Sequence, residues 1–148
     1  MTRYAAVLAW LAAVACGSPP GPGSPDLSRE PPAIRAALGV PFTLRMGESA
    51  DVDDRLRLTA LAVTEDSRCP INAVCVWAGD AAVAIRLESG AAAALTDTLH
   101  TLPDRQSRTS YASLVVMFVT LDPPPSAGEK RADYRATFRV DTAGAPSP

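Results

Sequence analysis

The stretch "YRATFRVD", Tyr134 to Asp141, sets the fold class. Tyr134, Ala136, Phe138 and Val140 lie on one side of an extended chain, and Arg135, Thr137 and Arg139 on the other. A period of two marks a half-buried strand, because successive side chains of extended backbone leave on opposite faces. "VPFTLRMG" repeats the pattern, with Phe42, Leu44 and Met46 inward and Thr43 and Arg45 outward. "SLVVMFVTL", Ser113 to Leu121, is apolar at both parities and reads as a central strand covered on both faces.

"RLRLTALAVTE" alternates imperfectly: Leu56 and Leu58 share one parity, Leu61 and Val63 the other. A bulge near Thr59 or Ala60 reconciles them, since one extra residue swaps the faces. Further runs at Val74–Glu88 and Ala91–Thr101 bring the expected count to about seven strands. The one helix-like segment is "PAIRAALG", Pro32 to Gly39, with Gly39 placed to end it. The pattern predicts an all-β, antiparallel, immunoglobulin-like sandwich over residues 33–142, with 143–148 as a disordered tail.

A length of 148 residues suits one such domain. Much of the 47% hydrophobic content is alanine, which buries little area, so the core rests on a modest set of larger side chains. The net charge of -2 and the lack of any basic run argue against a nucleic-acid partner.

The front of the chain reads as a targeting signal. "MTRYAAVLAWLAAVACGS" begins with Arg3 and continues as an apolar run from Tyr4 to Ala15. That run is too short to cross roughly 30 Å of hydrocarbon as a helix. A positive start, an apolar middle and small residues at the end predict a signal peptide over residues 1–15. Ala13, Val14, Ala15 and Cys16 resemble the lipobox of bacterial lipoproteins, although Ala13 stands where leucine is usual. The resemblance implies that Cys16 is lipidated and becomes the mature N-terminus, which places the protein in the cell envelope with a membrane as partner. Gly17 replaces the aspartate that retains many such proteins at the inner membrane, so the outer membrane is expected where there are two. From Gly17 to Pro32 the chain is rich in proline, glycine and serine. With Cys16 it forms an extended tether of about 3.1 Å per residue, on the order of 50 Å in reach.

The densest chemistry lies in "EDSRCPINAVCVWAGD", Glu65 to Asp80. With Cys16 lipidated, Cys69 and Cys75 remain as an even pair in an exported chain, where a disulfide is the expected state. A bridge closing so short a loop stabilises by roughly 2.4 kcal/mol in the chain-entropy picture. Zinc prefers more closely spaced cysteines and a second ligand pair, and the only histidine, His100, is distant in sequence. Met46 and Met117, the soft partners copper would need, read as strand-core positions. No metal and no cofactor is expected.

Trp77 follows Cys75 by two, so on a strand its indole would pack against the disulfide; otherwise it is an exposed anchor for a protein or glycan. Asp66 is placed to cap a turn, and Arg68 to pair with Asp66 or Asp80. Asp66, Arg68, Trp77 and Asp80 are therefore the candidate binding residues. "DSRCP" followed by "CVWAGDA" also resembles a motif of small bacterial exported proteins and lipoproteins without an established function, over about Phe42 to Val140. That resemblance implies kinship and carries over no catalytic residue.

Other chemistry is thin. His100 has no recognisable nucleophile frame around it and reads as a solvated strand-end residue. Glu48, Asp51, Asp53 and Asp54 are hard oxygen donors suited to calcium, but their spacing is not that of an EF-hand loop. Arg55 and Arg57 follow at once, which makes a salt-bridged turn the simpler account. "DPPPSAGEKRAD", Asp122 to Asp133, reads as a long mobile hairpin loop. The expected function is that of a non-catalytic, lipid-anchored binding module that meets a protein or glycan through its disulfide loop. The alternatives are protease inhibition by that loop, which requires Arg68 to project into solvent, and a calcium-stabilised envelope protein.

Overall fold

The computed structural model describes residues 32–90, 92–127 and 133–144. The expected signal peptide, Cys16, the tether up to residue 31 and tail residues 145–148 lie outside them. The described residues are all β, in two sheets. One sheet has the order β1 (Ile34–Ala36), β3 (Ser49–Val52), β4 (Leu56–Asp66), β5 (Ala81–Ser89) and β6 (Ala92–His100). The other has the order β2 (Phe42–Arg45), β9 (Arg135–Thr142), β8 (Leu114–Asp122) and β7 (Arg108–Tyr111). Every neighbouring pair is antiparallel except β1 and β3, which run parallel.

The two sheets close on one apolar cluster. Val52, Leu56, Leu58, Val83, Ile85, Leu87 and Leu99 come from the first sheet, and Leu44, Leu114, Val116, Leu121, Phe138 and Val140 from the second. Phe138 sits 5.6 Å from Phe118 and 6.4 Å from Phe42, ring centre to ring centre. Each large side chain fully buried here stabilises by about 1.5–3 kcal/mol, before the entropy of ordering it is subtracted. Ala136, Phe138 and Val140 are all buried, as the period of two in the last strand requires.

The irregularity in β4 is a bulge. Ala60 pairs with Ile85 and Ala62 with Ala84, so Leu61 is the extra residue. Leu56, Leu58 and Ala60 face the core before it, Val63 packs on the core after it, and Leu61 itself is exposed. The parity swap is thus real and lies one residue beyond the expected position.

Four sequence expectations need correction. Pro32–Gly39 forms no helix; Ile34, Arg35 and Ala36 pair with Ala50, Asp51 and Val52. An isolated helix this short is unstable in water, whereas β3 offers an open edge to pair with. The run from Val74 is not strand until Ala81, because the loop before it is held by the disulfide. The described residues form nine strands where about seven were expected, the short β1, β3 and β7 being too polar or too brief to show a period. Strand β8 is central, but only Leu114, Val116, Phe118 and Leu121 are buried; Val115 and Met117 are half-covered and Val119 is exposed.

Strand direction sorts the connections. β4 runs toward the Glu65–Asp80 segment, and the β6–β7 and β8–β9 connections lie at that same end. β3 runs opposite to β4 and β1 runs with β3, so Ile34 is the end of β1 nearer the Glu65–Asp80 segment. The connection after β6 also doubles back on its edge: the His100 N–H donates to the Gln106 carbonyl at 2.9 Å, and the Gln106 side-chain amide to Asp97 at 2.7 Å.

Candidate functional site

Beyond Asp66 and Ala81 the β4–β5 ladder continues irregularly into the cysteine loop. The Ser67 N–H donates to the Asp80 carbonyl at 2.7 Å, and the Cys69 N–H to the Ala78 carbonyl at 3.1 Å. The Asp80 N–H reaches the Ser67 hydroxyl at 3.1 Å. Gly79 sits between these rungs with φ of 67°. A Cβ there would lie 1.9 Å from the Ser67 carbonyl oxygen, so only glycine allows the two backbones to approach this closely. The Cys69–Cys75 disulfide, with Cα atoms 5.9 Å apart, then closes the loop.

The residues before the first cysteine fasten this loop to the opposite sheet. Arg68 forms a fork on Asp66, Nε to Oδ1 at 2.8 Å and Nη2 to Oδ2 at 3.0 Å. The same guanidinium donates to the Leu121 carbonyl and, at 3.0 Å, to the Pro123 carbonyl. The Tyr134 hydroxyl donates to Asp66 at 3.0 Å. Further out, the Ile71 N–H meets the Pro125 carbonyl at 2.7 Å and the Ala127 N–H meets Asn72 Oδ1 at 2.9 Å. The described part of the β8–β9 connection is therefore docked on the cysteine loop. Burial pushes the Asp66 carboxyl up, but Arg68 and the Tyr134 hydroxyl outweigh that and hold it below its ordinary range.

Asp80 performs the equivalent task toward the β6–β7 connection. Its carboxylate, 3% exposed as a residue, accepts from the Thr101 N–H, the Thr101 hydroxyl, the Leu102 N–H and the His100 ring. The His100 contact is 2.6 Å, and because an ionised carboxylate only accepts, Nδ1 carries the proton. Arg105 stands 3.5 Å away. Burial raises the Asp80 carboxyl, yet the bonds from His100, Thr101 and Leu102 win and leave it lowered. This partner of His100 is twenty positions away in sequence, and no local signal announced it.

The candidate residues thus divide. Asp66, Arg68 and Asp80 are internal struts, and Arg68, with a side chain 16% exposed, does not project into solvent. Trp77 lies in the loop, not on a strand, and is 80% exposed, so the expectation of an indole packed away on the disulfide is overturned. Beside it, Ile71 is 72%, Val74 103% and Val76 88% exposed, the highest values among the large apolar residues described. The result is a rigid base carrying an apolar tip.

The acidic cluster does not converge. Asp51 takes a two-pronged grip from Arg57, Asp54 pairs with Arg35, Glu48 accepts the Arg45 N–H and Asp53 the Leu38 N–H. No three His, Cys, Asp or Glu side chains among the described residues are grouped to hold a metal ion. A cavity of about 370 Å³ lies at the other end of the sandwich, lined by Asp51, Asp54, Arg55, Arg57 and Glu88, and is open and charged. The His100 ring has no hydrogen bond other than that to Asp80 among the described residues. Compared with protein-family models, curated proteins and solved structures, the chain matches none.

Proposed function

We propose that this chain is a non-catalytic, lipid-anchored protein of the cell envelope whose β-sandwich presents the disulfide loop as its contact surface. One observation carries the reading: Ile71, Val74, Val76 and Trp77 are held in water on a stapled, hydrogen-bonded base. Clustered apolar exposure of this kind marks a surface that something covers. The signal-like start, the lipobox resemblance at Cys16 and the proline-rich tether supply the envelope half of the reading. The inhibitor alternative loses its anchor, because Arg68 is clasped by Asp66 and two backbone carbonyls.

A photo-crosslinking residue at Val74, in cells expressing the full chain, tests the contact surface. Adducts are expected from position 74 and not from Ala92 at the opposite end; equal yields, or none from position 74, would refute it. Fractionation of Cys16→Ala tests the anchor: the variant is expected to leave the membrane fraction, and retention there would refute lipidation.

A further inference from the structure

The tip has the chemistry of a particular partner. From Cys69 to Gly79 the chain contains no charged residue. Its backbone is also partly self-satisfied, with N–H groups of Cys69, Ile71 and Ala73 donating to the carbonyls of Ala78, Pro125 and Pro70. Moving such a segment out of water costs little in charge desolvation. The four apolar side chains lie in the loop that joins β4 to β5, each at least 72% exposed. A fluid apolar layer accepts all four at once without a preformed pocket. An indole among aliphatic side chains is the composition found at the boundary between headgroups and acyl chains.

Topology points the same way. Ile34, the first residue of β1, is the end of that strand nearer the tip. Residues 17–31 separate Ile34 and its proline-flanked lead from Cys16, a span on the order of 50 Å when extended. A bilayer holding the lipid on Cys16 is therefore within reach of the tip.

We infer that Ile71, Val74, Val76 and Trp77 insert into the interfacial layer of the lipid bilayer that carries the protein's own anchor. This rests on the reading of the disulfide loop as the contact surface and names what it contacts. Insertion gives the domain a second attachment besides its lipid, and fixes which end of the sandwich faces the membrane.

The test uses the exported protein extracted from membranes and reconstituted into vesicles of phosphatidylethanolamine and phosphatidylglycerol, with or without brominated acyl chains. Trp10 lies in the expected signal peptide, so Trp77 is the one tryptophan of the form that begins at Cys16, and Trp77→Phe measures any emission from unprocessed protein. The expected result is emission shifted to the blue and reduced by about half by brominated lipid, as for an indole at the acyl boundary. Val74→Asp is expected to abolish the quenching with an unchanged melting temperature, because the Val74 side chain is fully exposed. Unquenched Trp77 emission, or quenching that Val74→Asp leaves intact, would overturn the inference. In either case, protein adducts from position 74 in cells would preserve the contact surface and give it a protein partner, while no adducts at all would remove both.

Discussion

The α-carbon of Gly79 faces the carbonyl of Ser67 so closely that a Cβ would stand 1.9 Å from its oxygen. Gly79 also has positive φ, a conformation that costs other residues about 1–2 kcal/mol. Gly79→Ala is therefore expected to destabilise by more than that, since the Ser67 backbone must also retreat. Urea unfolding measures it; a midpoint unchanged from the wild type would show that the two backbones are not held together.

Arg68 is the strut between the sheets. Its guanidinium satisfies Asp66, Leu121 and Pro123 together, and both members of the ion pair are largely buried. Removing one partner of such a pair leaves an uncompensated charge, a loss of about 3 kcal/mol. Arg68→Ala is expected to lose that much. Arg68→Lys should recover little, because an ammonium cannot make the fork and reach two carbonyls. Full stability in the lysine variant would contradict the geometry.

Acid should loosen this end of the sandwich. Asp66 and Asp80 have folded values below their unfolded value of 3.8. The stability they contribute is thus fully present above the unfolded value and is lost as pH falls through the lower folded ones. Melting temperature is expected to decline below about pH 4. Asp80→Asn should flatten part of that decline while lowering stability at neutral pH. A variant that keeps the full wild-type acid slope would show that Asp80 is not one of the titrating groups.

The Cys69–Cys75 bridge has its own signature. Replacing both cysteines by serine is expected to lower stability by roughly 2.4 kcal/mol, from the entropy regained by the unfolded chain. Mass spectrometry of protein purified without reductant should show the oxidised pair. Free thiols in that material would contradict the staple.

The strands that could be read from sequence were those whose two faces differ. Tyr134–Asp141 and Phe42–Met46 alternate cleanly because one face meets the core and the other meets water. The β4 bulge was legible for the same reason: Leu58 and Val63 cannot both face inward without an extra residue. β1 was illegible, since Ile34, Arg35 and Ala36 lie in a helix-favouring composition and only the open edge of β3 draws them into a sheet. At the site, the pairing of Arg68 with Asp66 was legible because the partners are two residues apart. The contacts to Leu121, Tyr134 and His100 were not, since they join segments distant in sequence that only folding brings together.

The edges of the two sheets bear on how this chain avoids pairing with its own copies. Strands β1, β2 and β7, which end three of the four edges, are only three or four residues long, too short to template pairing with another copy. The fourth, β6, spans nine residues, and the loop after it folds Gln106 back onto His100 and Asp97. Crowded copies therefore find little exposed backbone to zip onto once the sandwich has closed. The vulnerable interval is before that loop settles, when β6 is the strand from which aggregation would start.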